Sequence, residues 1–80
     1  MDDSDLFRRI SELVDEEHKL ERAHVGSTAP EADLDKMRQL EVALDQCWDL
    51  LRQRQARRSA GQNPDDATPR SERTVEGYQQ

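Results

Sequence analysis

Along the first part of the chain Leu6, Ile10, Leu13, Glu17, Leu20 and His24 recur at alternating steps of four and three. That spacing is the seam of a coiled coil, where every second step returns to one side of a helix. Phe7 and Val14 widen the stripe along one edge. The pattern predicts a helix over about residues 4–24. Asp2, Asp3, Ser4 and Asp5 precede it with oxygen acceptors and negative charge, which suit the free N–H groups of a helix start. Gly26 supplies a stop. The seam resumes at Met37, Leu40, Leu44, Cys47 and Leu51, flanked by Leu34, Ala43 and Trp48. A second helix over about 30–60 follows, with Pro30 in its first turn. Thr28 and Glu31 stand at capping-box spacing.

A connection of about residues 25–29 is too short for anything but an antiparallel return. The expected fold is all-α: a coiled-coil-like two-helix hairpin over 1–60. In it Leu20 lies near Leu34, and Leu13 near Leu40 and Leu44. Leu6 and Phe7 meet Trp48 and Leu51 at the end away from the turn. Residues 61–80 begin Gly-Gln-Asn-Pro, carry Pro69 and have no apolar period, so they are expected to form a flexible tail.

Composition sharpens this picture. Only 32% of the 80 residues are hydrophobic and 38% are charged, against about 45–50% and 25% in an average domain. A hairpin with one apolar stripe cannot cover that stripe on both edges. Two hairpins forming a four-helix bundle, or docking on another protein, are therefore expected. Glu17, set among the leucines, is expected to pair with Arg38 across the hairpin, because a carboxylate on a seam is costly without a partner.

Charge narrows the partners. The net charge of −6 divides into −8 over residues 1–49, +4 over 50–60 and −2 over 61–80. An acidic body repels phosphate, which disfavours broad contact with nucleic acid or anionic lipid. Arg52, Arg54, Arg57 and Arg58 are the exception, and they are candidate interaction residues together with Phe7, Trp48, Leu51 and Tyr78. The arginines also suit the negative end of a helix dipole. They lack the interleaved aromatics that would stack bases. A nucleic-acid or ribosome-associated regulator is kept as an alternative. The acidic N-terminus, the lone Cys47 and the absence of any apolar run of ~18 residues point to the cytoplasm.

Glu21 and His24 have the Glu-x-x-His spacing found in di-metal carboxylate bundles, with Glu17 one turn earlier. A metal-binding bundle is the other alternative. The plainer reading is a solvated acidic helix ending in a His, and no metal or other cofactor is assigned. Cys47 has no His near it in sequence and reads as a small core hydrophobe. No Gly-rich phosphate loop or Ser/His/Asp set is present, so neither an enzyme nor a small-molecule substrate is expected.

Three stretches carry a resemblance: Leu13-Val-Asp-Glu-Glu-His-Lys-Leu20, Leu44-Asp-Gln-Cys-Trp-Asp-Leu-Leu-Arg-Gln-Arg54, and Val75-Glu-Gly-Tyr78. With them the chain resembles a family of very small actinobacterial proteins of unknown function. The resemblance implies a bacterial cytoplasmic helical protein and supplies no activity, cofactor or site residue. The function expected is that of a non-enzymatic protein-interaction or regulatory module.

Overall fold

The computed structural model describes residues 2–24, 26 and 29–71. Helix α1 runs Asp3–Ala23 and helix α2 runs Glu31–Ser59. A single 3-10 turn, Pro64–Asp66, follows. The two helices pack against each other as the expected hairpin.

Each helix end has a local cause. Asp2 caps α1: its carboxylate accepts from the Asp5 N–H at 2.9 Å, and the Asp5 carboxylate accepts from the Asp2 N–H at 3.2 Å. This reciprocal pair satisfies two of the donors a helix start leaves open. Helix α2 has Pro30 as its cap, with no side-chain cap bond. The expected box between Thr28 and Glu31 involves Thr28, which lies outside the described residues. A proline pre-set to helical φ starts the helix one residue later, and its carbonyl accepts from Asp33 and Leu34. At the far end, Gly61 adopts φ +75°. That lets the N–H groups of Gly61 and Gln62 turn back to the carbonyls of Arg58 and Arg57.

Leu6, Ile10 and Leu13 of α1 are buried together with Leu40, Leu50 and Leu51 of α2. Five of these six are the expected seam. Leu50 is the addition. It clusters with Leu6 and Leu51, and Cys47 and Ala67 pack against that cluster.

Ala67 belongs to the segment expected to be a flexible tail. Its first stretch instead runs back along α2. Gln53 donates to the Thr68 carbonyl at 2.8 Å, Gln46 to the Arg70 carbonyl at 3.4 Å, and Arg70 pairs with Asp49 at 3.4 Å. Periodicity could not reveal this contact, because a strap held by backbone carbonyls and one Ala needs no apolar repeat. Val75–Tyr78, including the candidate Tyr78, lies outside the described residues.

Truncating a buried seam residue should cost far more than truncating an exposed one. Leu13→Ala is expected to lose about 2–5 kcal/mol in urea unfolding. Leu34→Ala, at a position 53% exposed, should change stability by no more than about 0.5 kcal/mol. Equal losses would mean that the hairpin packs through a different face.

Candidate interaction surface

The arginine-rich end of α2 does not form a free basic patch. Arg54 is 6% exposed. Its Nε donates to Asp3 at 2.7 Å, and its Nη1 donates to Asp65 at 2.9 Å and to the Pro64 carbonyl at 3.2 Å. One guanidinium thus ties the start of α1, the end of α2 and the 3-10 turn together. Arg58 adds a second bond to Asp3 at 3.0 Å. Arg57 reaches Gln62. Arg54 is thus buried with its guanidinium bonded inside the chain, while Arg58 is exposed with one bond to Asp3. Arg52 stays exposed on the surface.

Charge pairing sets the protonation of this cluster. Arg54 beside Asp3 holds that carboxyl below the ordinary Asp range. Burial pulls the other way, and Arg58 adds to the lowering. The same bonds, from Asp3 and then Asp65, push the guanidinium further up, so it stays charged.

The opposite end of the hairpin is pinned by His24, whose Nε2 lies within hydrogen-bonding distance of an Asp33 carboxylate oxygen. Residues 24 with 33 and 3 with 54 fall on one antiparallel register, so both ends enforce the same alignment. The expected pairing of Glu17 with Arg38 is not what fixes it, and Glu17 stays partly solvated. Nor does the structure gather Glu17, Glu21 and His24. His24 is the C-cap of α1, off helical geometry at φ −120°, and it turns to α2. Among the described residues no three His, Cys, Asp or Glu side chains come together to hold a metal.

Phe7 and Trp48 do meet, as the register predicts. Their rings stand edge to face with centroids 6.4 Å apart. They do so at the surface, where Phe7 is 49% and Trp48 41% exposed. Edge-to-face geometry sets the positive rim of one ring against the negative face of the other. Leu51 is buried and clusters with Leu6 and Leu50. Trp48, Leu44 and Glu41 follow one another at helical spacing along the same edge of α2. The strap lies along the other edge, at Gln46, Asp49 and Gln53. The hairpin therefore has one sealed flank and one flank with exposed aromatic rings. Cys47 sits between them, and burial pushes its thiol up. Among the described residues no helix is long and apolar enough to cross a membrane.

Comparison with known proteins agrees with this outline. Residues 2–80 match the pattern of a family described as "Protein of unknown function (DUF2630)". The chain is 44% identical over 78 residues to "Uncharacterized protein Rv0898c" of Mycobacterium tuberculosis and to "Uncharacterized protein Mb0922c" of Mycobacterium bovis. In each comparison the match covers 95% of this chain and 88% of the relative. The resemblance to small actinobacterial proteins is thereby borne out. No solved structure matches.

Two outcomes are expected. An unfolded chain protonates Asp at about 3.9, above the folded value of Asp3, so the unfolded state binds more protons as the pH falls. Stability from Asp3 is complete above the ordinary Asp range and is lost on descent through its folded pKa. Asp3→Asn should be less stable at neutral pH and have a shallower acid limb in denaturation series; identical limbs would remove the clamp. Cys47 should react with a thiol reagent much more slowly in the folded chain than in urea.

Proposed function

Because the chain belongs to this family of unknown function, we propose that it is a non-catalytic cytoplasmic protein-interaction module that engages its partner through the Phe7–Trp48 flank of the hairpin. The single observation that carries this reading is the exposure of two packed aromatic rings on a protein with so few apolar residues. Trp is among the residues that most often dominate binding energy, because it buries a large area for few rotatable bonds. The two rings already pack edge to face on each other, so part of their ordering is done before binding.

The basic end supports this reading over a nucleic-acid one. Two of its four arginines are already bonded to Asp3. What remains exposed is set in a chain of net charge −6, which weakens attraction to phosphate.

Affinity capture from a lysate of the native host, using full-length protein, tests the reading. Phe7→Ala and Trp48→Ala should each weaken retention of a specific partner roughly tenfold or more, with helical content unchanged by circular dichroism. Arg57→Ala, on the sealed flank, should leave retention unaltered. A partner retained equally by all three variants would overturn the aromatic flank as the docking surface.

A further inference from the structure

The exposed flank has a pattern of charge as well as of rings. On α2, Glu41, Leu44, Trp48 and Arg52 succeed one another at steps of three, four and four, so they share a face. Leu44 is partly buried; Glu41, Trp48 and Arg52 are exposed. Among the described residues neither Glu41 nor Arg52 has an ion-pair partner within the chain. Their signs are opposite, and Trp48 and Leu44 lie between them.

We propose that this flank is occupied by a second copy of the chain, with the two α2 helices antiparallel across a twofold axis beside residues 46–47, giving a four-helix bundle. This rests on the reading of the Phe7–Trp48 flank as a docking surface, and it names the occupant. Three observations favour it.

The first is charge. From Glu31 to Asp49, α2 carries six acids against Lys36 and Arg38; from Leu50 to Ser59 it carries four arginines and no acid. A helix so divided complements a copy of itself only head to tail. With the axis beside residues 46–47, Glu41 stands opposite the partner's Arg52, and Arg52 opposite the partner's Glu41. Each contact then occurs twice, as an isologous interface requires.

The second is shape. The same placement sets Trp48 within one residue of the partner's Leu44 along the helix, so the two indoles and the two Phe7 rings close over the centre of the contact. The buried centre is then aromatic and aliphatic, and the ion pairs form its rim.

The third is closure. Among the described residues the strap at residues 61–71 lies along the other edge of α2, which leaves the Phe7–Trp48 flank to a second copy, so the assembly stops at two instead of growing into a filament.

Sedimentation equilibrium of the full-length chain at low salt tests this from about 1 to 500 µM. The weight-average mass should rise from 9.3 kDa toward twice that value. Trp48→Ala should remain a helical monomer across the range. Glu41→Arg and Arg52→Glu should each raise the dissociation constant about tenfold, since each sets like charges together at two symmetric places. The double variant E41R/R52E should return to within a few-fold of the wild type. A single-chain mass at the highest concentration overturns the proposal, as does a dimer indifferent to Trp48→Ala. A double variant as weak as the singles overturns the antiparallel placement. If the chain is monomeric while capture of another protein still depends on Trp48, the second-copy proposal falls and the interaction module stands.

Discussion

A guanidinium taken almost wholly out of water is tolerable only when its donors are met by fixed acceptors, and the rest of this structure depends on how residue 54 meets that demand. Arg54 lies on the seam of α2 one turn beyond Leu51. Asp3 at the start of α1 and Asp65 with the Pro64 carbonyl on the strap supply the acceptors. The three elements cannot be positioned independently, because losing one leaves a buried charge underserved. The fork geometry also explains why a lysine would not substitute: a point charge cannot hold two carboxylates in two directions.

The clamp and the aromatic pair divide the work at the open end. Asp3 to Arg54 aligns the helices with direction, and Leu6 against Leu50 and Leu51 supplies apolar burial. With alignment fixed in this way, Phe7 and Trp48 need not enter the core to stabilise it, and their rings remain at the surface. The strap deepens the asymmetry. By packing Ala67 against the Leu6, Leu50 and Leu51 cluster and pairing Arg70 with Asp49, it turns one edge of α2 into sealed surface. Among the described residues, the flank that carries Phe7 and Trp48 stays open to solvent.

The hairpin and most of its core were legible in the residues. A strict four-three repeat in α1 and its continuation at Leu40 and Leu51 follow from helical geometry, which is local. The antiparallel return followed from the short connection, and the meeting of Phe7 with Trp48 followed from the register. The surface is less legible in the residues. Arg54 and Arg58 were grouped with Arg52 and Arg57 because they are neighbours in sequence. Around a helix, Arg52 turns to a different face from the one that Arg54 and Arg58, four residues apart, share toward Asp3, and of the four only Arg54 is buried. Leu50 and Asp49 were invisible as buried positions, since what covers them is a strap without an apolar pattern. His24 was grouped with Glu17 and Glu21 on an ideal helix. The cap conformation that ends α1 turned it instead to Asp33.

By itself, the sequence determined that two amphipathic helices would form, where α1 would start, and that Leu6, Leu13, Leu40 and Leu51 would be buried between them. Those outcomes rest on periodicity, capping chemistry and chain length, and each acts within a few residues. Tertiary structure alone decided that residues 61–71 would lie along α2 and that Arg54 would bind two carboxylates about fifty and ten residues away. It also decided that the aromatic pair would stay open to solvent. Those outcomes depend on which surfaces are brought together and desolvated, and a charge or an indole carries no mark in the sequence of which way the fold will turn it.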